Sequence, residues 1–202
     1  HALLEVLERD AISMNKLRDR SLWVEPASLP DPLRTLALGW EQAGVRLAVR
    51  SIPNALALPC FEAVLHESAS DSVNFAGGSG LHFDRAIALT RAVCEAAQSR
   101  LTHIHGGRED VTDFYSKYAP GRSPDRATAE SRLQRTLFDR SRQVAFADIA
   151  QANMSAESPA AMLASLLLQM ARCGFDVVLR HRFAVDLGGL HVVKPIVPRA
   201  ED

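Results

Sequence analysis

The chain has 202 residues, with 23 Lys and Arg against 24 Asp and Glu and a formal charge of −1. This balance argues against a strongly basic nucleic-acid surface or a polybasic membrane anchor. Hydrophobic residues make up 47% and charged residues 23%, enough apolar material for a globular core. The 3 cysteines, Cys60, Cys94 and Cys173, contain no Cys-x-x-Cys spacing. They therefore match neither a disulfide framework nor a zinc motif, and each reads as a small buried apolar residue. The apolar run at 160–170 is too short to span a bilayer.

Residues 2–12 read as a helix whose apolar stripe is Leu3, Leu4, Leu7, Ala11 and Met14. His1 already lies inside this pattern, so the reading expects an N-terminal part upstream. Glu5, Glu8 and Arg9 share another side of the helix. Two carboxylates one turn apart can hold a divalent cation through hard oxygen ligands, and Arg9 can grip a phosphate. The plainer reading is a surface helix with a Glu5–Arg9 ion pair. Trp23 and Val24 suggest a short strand. Pro26, Pro30 and Pro32 mark a loop, and Asp31 is the expected cap of a helix that begins at Pro32 and stops near Gly44. Residues 45–50 alternate as a strand and residues 59–66 read as a second, followed by a polar turn at 67–72.

Gly77-Gly78-Ser79-Gly80 reads as a tight loop that opens a long helix over 85–102, with Asp84 as its N-cap. Arg91, Glu95, Gln98 and Thr102 fall on one stripe of that helix. Such a stripe suits an anionic ligand or a hydrated metal; the plainer reading is a solvated face with an Arg91–Glu95 pair. The loop matches neither the phosphate-loop pattern nor the dinucleotide pattern. There is no Gly-x-Ser-x-Gly elbow, so no nucleophile is marked. His103 and His105 diverge at a helix end and have no third ligand at recognisable spacing, which argues against a metal there. From Tyr115 to Gln143 the chain is polar and rich in Arg interspersed with acids, and reads as solvated helix and loop. Residues 145–149 suggest a short strand or turn. Ser158-Pro159 starts an apolar helix to about Arg172. Strands are expected over 175–182 and 190–197, the second at an edge or bulge because of Pro195.

Three separated motifs carry a family resemblance. Residues 2–11 contain Glu5-Val6-Leu7-Glu8-Arg9-Asp10. Gly78-Ser79-Gly80-Leu81-His82 is followed by Ala88-Leu89-Thr90-Arg91-Ala92, then Glu95-Ala96-Ala97-Gln98-Ser99-Arg100-Leu101 and Gly107-Arg108-Glu109-Asp110. Val192-Val193-Lys194-Pro195-Ile196-Val197-Pro198 lies near the end. In this order they resemble the YcaO family of ATP-dependent peptide-amide-activating enzymes. The departures are Lys194, where the family usually has Arg, and Arg199, where it has Gly.

The resemblance implies an α+β fold of mixed sheets packed with long helices. Residues 1–202 would form the C-terminal portion of an incomplete domain, with a polar variable segment at about 112–143. It implies ATP and Mg2+ as cofactors, with a peptide backbone amide phosphorylated on its oxygen. The outcome would be azoline formation, thioamide formation, or support of ribosomal protein methylthiolation. By resemblance, Glu5 and Glu8 are magnesium ligands, and Arg9, Glu95, Gln98 and Arg100 line the ATP and phosphate site. The implied partners are a peptide or protein substrate and a substrate-presenting protein. No nucleic-acid or membrane partner is implied, and a cytoplasmic location and a homo-oligomer are expected. The full-length protein would be the enzyme and this portion alone inactive. The alternative is a non-catalytic YcaO-like module that binds a peptide or partner.

Overall fold

The computed structural model describes residues 1–67, 75–105, 135–151, 158–184, 188–189 and 191–200, without the side chains of His103 and His105. Its elements are α1 (Ala2–Leu17), β1 (Leu22–Val24), α2 (Asp31–Gln42), β2 (Val45–Ser51), β3 (Cys60–Glu67), β4 (Phe75–Leu81), α3 (Arg85–His105), β5 (Gln143–Val144), α4 (Pro159–Arg172), β6 (Leu179–Arg182) and β7 (Val193–Ile196). Five strands form one sheet in the order β4-β3-β2-β1-β5. The first four are antiparallel neighbours, and β5 joins β1 in parallel. β6 and β7 form a separate antiparallel pair, so Pro195 sits on an edge strand. The fold is thus α+β with mixed sheets and long helices.

Alternation along the strands divides the core into two layers. Phe61, Ala63, Leu65, Val45, Val49 and Ala76 face one way and pack with Ala88, Leu89, Ala92, Val93 and Ala96 of α3 and Leu33 of α2. Cys60, Ile52 and Leu81 face the other way, where Leu3, Leu4, Leu7 and Ala11 of α1 meet Leu166 and Met170 of α4. The sheet is therefore covered by helices on both faces, with β4 at one edge.

The glycine stretch is not a loop. Gly77–Gly80 lie inside β4, paired to β3 from Cys60–Leu81 to His66–Phe75, and none has a positive φ. Their use is close approach: a Cβ on Gly78 or Gly80 would fall closer than 3.0 Å to backbone atoms of α3. The expected turn at 67–72 begins later than read, because Glu67 still belongs to β3; residues 68–74 lie outside the described part. Asp84 does cap α3, accepting from the N–H groups of Ala86 (2.7 Å) and Ile87 (3.1 Å). Asp31 does not cap α2. Pro30 holds that position, and Asp31 is the first helical residue, bonded to Arg34.

Other expectations shift in detail. Met14, read as part of the α1 stripe, is exposed, because only the inner arc of the helix meets the sheet. Cys60 is buried as expected, and burial pushes its thiol pKa up, but Cys94 and Cys173 are exposed. Of the two alternatives for 145–149, the structure shows the turn: residues 146–148 form a 3-10 turn, with Phe146 stacked on Phe61. The last two strands are shorter than read, at 179–182 and 193–196. Most of the polar 112–143 segment lies outside the described residues, as do Gly107-Arg108-Glu109-Asp110. Among the described residues no helix is long and apolar enough to cross a membrane.

Candidate functional site

Among the described residues β4 is an edge strand, so alternate backbone groups on its outer side have no strand partner there. Acidic and basic side chains take that place. The N–H of Ser79 donates to Glu95 Oε2 at 2.9 Å, and the N–H of Leu81 donates to Glu8 Oε2 at 2.9 Å. The carbonyl of Leu81 accepts from the Arg91 guanidinium at 2.9 Å. Ser79 also donates its hydroxyl to Glu8 Oε1 at 2.6 Å. Arg91 pairs with Glu5 and lies 3.4 Å from Glu8 Oε2. One strand edge thereby gathers α1 (Glu5, Glu8) and α3 (Arg91, Glu95), segments about ninety residues apart in sequence.

The local reasons are plain. The stripe of Leu3, Leu4, Leu7 and Ala11 seats α1 beside β4, and Glu8, one residue past Leu7, meets the strand edge. Glycines 78 and 80 let α3 lie directly on β4. Arg91 and Glu95, one turn apart, then both reach the same edge.

The electrostatics are uneven. Glu8 is 4% exposed, while Glu5 is half-buried and Glu95 exposed. Burial raises the pKa of Glu8 above its ordinary value, outweighing the Ser79 and Leu81 hydrogen bonds and the Arg91 charge that pull it down; Glu5 adds to the rise. A dication beside this carboxylate would relieve the cost of its buried charge. Among the described residues, no group of three or more His, Cys, Asp and Glu converges as a ready-made metal cage. Mg2+ does not require one. It is commonly held by one or two carboxylates, with waters and phosphate oxygens completing its shell. Hard oxygen donors from Glu5 and Glu8, with Arg91 alongside, fit that mode.

The expected site residues divide accordingly. Glu5, Glu8 and Glu95 come together. Gln98 is exposed, one turn beyond Glu95 on α3, and Arg9 is exposed on α1 next to Glu8. Arg100 lies elsewhere, bonded to Glu67 at the end of β3 at 2.8 Å. Neither plain ion pair forms: Glu5 turns to Arg91 and His1 instead of Arg9, and Arg91 and Glu95 take different partners instead of each other. Two residues of the cluster are absent from the site implied by resemblance, Arg91 and Ser79. Arg91 stands on the helical stripe, but its spacing to Glu95 matches an ordinary surface pair. Ser79 reads as a loop residue, which hides its position on a strand edge.

The model of the YcaO cyclodehydratase family, described as ATP- and Mg2+-binding, matches residues 1–201. An uncharacterised protein of Methanothermobacter thermautotrophicus is 31% identical over 210 aligned residues, covering 100% of this chain and 51% of that protein. An uncharacterised protein encoded in the tfuA 3′ region of Rhizobium leguminosarum bv. trifolii is 35% identical over 123 residues, which is 55% of this chain and 29% of that protein. The chain thus spans about half or less of the length of these relatives.

Among solved structures, YcaO from Methanopyrus kandleri bound with AMPPCP and Mg2+ superposes with a TM-score of 0.76 at 22% identity, covering 98% of this chain and 50% of that one. The heterocyclase TruD gives 0.71 at 21% identity, covering 98% and 26%. At these identities the structures speak for the fold. The family match over nearly the whole chain speaks for membership: the chain belongs to the YcaO cyclodehydratase family.

Proposed function

We propose that this chain forms part of an ATP- and Mg2+-dependent enzyme that phosphorylates a backbone amide oxygen of a peptide or protein. The observation that carries this reading is the cluster of Glu5, Glu8, Arg91 and Glu95 around Ser79 on the β4 edge. Family membership supplies the cofactor class. Glu5 and Glu8 would hold Mg2+, and Arg91 would exchange Glu5 for a phosphate group, two of whose oxygens can accept parallel bonds from a guanidinium. Glu95, fixed by the Ser79 N–H, and Gln98 would line the nucleotide from α3, with Arg9 a phosphate contact from α1. Arg100 would join them only by exchanging Glu67 for the nucleotide.

When bound, Mg2+ would neutralise the charge on the phosphates and on the transferring phosphoryl group. The protein's own contribution is positioning. Ser79 and Leu81 hold the Glu8 carboxylate in one orientation, so a ligand there meets a fixed oxygen. A phosphorylated amide oxygen leaves as phosphate, and a side-chain Cys, Ser or Thr, or an external sulfur nucleophile, attacks the carbonyl carbon. The first gives an azoline and the second a thioamide. A heterocyclase of the same fold is known in complex with substrate and cofactor, consistent with a peptide partner here.

Calorimetric titration of the full-length protein with MgATP tests the reading. Binding is expected, and Glu5→Ala with Glu8→Ala should abolish it while circular dichroism stays unchanged. Undiminished nucleotide affinity in that folded double variant removes the metal assignment.

A further inference from the structure

A second site lies across the sheet from the β4 edge. β1 pairs with β2 at Ser51 and Arg50, and β2 runs on past it to Val45. A cavity of about 320 Å³ opens there, between α2, the Arg46–Leu47 end of β2 and residues 138–140. Strand spacing of about 4.8 Å puts β1 roughly 14 Å from β4, so this cavity is separate from the Glu5/Glu8 cluster.

Three features of its wall point to a ligand. The Arg46 guanidinium stacks on Phe138, 4.0 Å from the ring centroid, and Arg140 stacks on Trp23 at 4.8 Å. Stacking fixes a guanidinium but leaves its in-plane N–H groups free to bind a carboxylate. Neither Arg46 nor Arg140 has an ion-pair partner among the described residues. Arg34, also on the wall, is already paired with Asp31. The acid on the wall, Glu41, is exposed on the α2 rim. The second feature is Trp23, 5% exposed, a rigid aromatic surface on the wall that holds the Arg140 guanidinium. The third is apolar lining from Leu38, Leu47 and Phe138 beside the charges, with Leu38 56% exposed.

We propose that this cavity docks an acidic peptide segment, with an Asp or Glu carboxylate between Arg46 and Arg140 and a neighbouring apolar side chain against Leu38. Charge complementarity selects the carboxylate. The apolar wall selects a peptide over a free acid, because a small dicarboxylate has no group to place there. The segment is held away from the proposed nucleotide site, so the cavity serves recognition and not chemistry.

The test is fluorescence anisotropy with the full-length protein and a labelled, amidated hexapeptide, Gly-Glu-Leu-Asp-Leu-Gly. Saturable binding is expected. The uncharged isostere Gly-Gln-Leu-Asn-Leu-Gly should bind at least about tenfold more weakly, and Arg46→Gln with Arg140→Gln should cost the acidic peptide a similar factor. Leu38→Asp, at an exposed helix position where folding is not at stake, should weaken it as well through like-charge repulsion. No saturable binding, equal binding of the two peptides, undiminished binding in both variants, or displacement by free glutarate as effective as by unlabelled peptide would overturn the proposal. MgATP titration of the same variants separates the two readings. Nucleotide affinity is expected to stay within about twofold of wild type. If the wild type itself ignores nucleotide while the acidic peptide still binds, the enzymatic reading fails and the docking site stands.

Discussion

The two faces of β4 do opposite work. Towards α3 the strand presents Ala76, Gly78 and Gly80, residues with almost no side chain, and the backbones of strand and helix come into direct contact. On the other face Ser79 gives its hydroxyl to Glu8, beside a cluster of ionised groups. The first face is specified by the absence of atoms, the second by hydrogen bonds to charge. The close approach made by the glycines brings Glu95 within reach of the Ser79 N–H, so packing on one face sets the geometry at the edge.

Substitutions can break this comparison at either face. The largest effect is expected from Gly80→Ala, whose Cβ would meet the Ala88 carbonyl and the Ala92 N–H closer than 3.0 Å. Because those atoms are backbone, α3 must move as a whole. The loss should reach or exceed the ~3 kcal/mol end of the overpacking range, with nucleotide binding lost too. Urea denaturation measures it, and a loss under ~1 kcal/mol would mean the contact is softer than the geometry indicates.

Ser79→Ala comes next. It removes one donor from the buried Glu8 carboxylate but keeps the backbone bonds from Ser79 and Leu81. About 1–2 kcal/mol of stability should be lost. Nucleotide affinity should fall as Glu8 gains freedom, which distinguishes this face from the α3 face, where stability and binding fall together.

Glu62 sharpens the comparison on the neighbouring strand. It pairs in register with Ser79 on one side and Arg50 on the other. Burial raises its pKa, outweighing the opposing charges of Lys16 and Arg50. A carboxyl raised in the folded state takes up protons on folding. Its favourable contribution is therefore complete below the unfolded pKa and is lost as pH rises through the folded one. Glu62→Gln should match wild type near about pH 4 and be more stable than wild type at about pH 7. Equal stability at both pH values would show that Lys16 and Arg50 fully offset the burial. The smallest effect is expected at Gly39, inside α2, where a Cβ meets nothing within 4 Å. Gly39→Ala should gain about 0.5–1 kcal/mol, the reverse of Gly80→Ala, because helix propensity acts there without a steric cost.

Much of the fold was legible in the sequence. The apolar stripe of α1, the cap at Asp84 and the alternation of β2 are local patterns, set by periodicity and by hydrogen bonds between near neighbours. The family motifs also pointed to Glu5, Glu8, Arg9, Glu95, Gln98 and Arg100; the β4 edge gathers Glu5, Glu8 and Glu95, while Arg100 is bonded to Glu67 instead. What remained hidden depends on partners distant in the chain. Four residues of Gly and Ser look alike in a loop and in a strand pressed against a helix; only the presence of α3 on one side distinguishes them. Arg91 and Glu95 are spaced like any surface ion pair, and only the β4 edge, with its unpaired N–H and C=O groups, draws them to separate partners. The Trp23–Arg140 and Arg46–Phe138 stacks join residues about ninety or more positions apart, beyond the reach of any spacing rule. Sequence determined most of the helices and strands, because local backbone preferences and apolar periodicity suffice for those; β4 is the exception, since its glycines carry no periodic signal. Tertiary structure decided which charged groups meet, because an ion pair or a hydrogen bond depends on distance in space and not on separation along the chain.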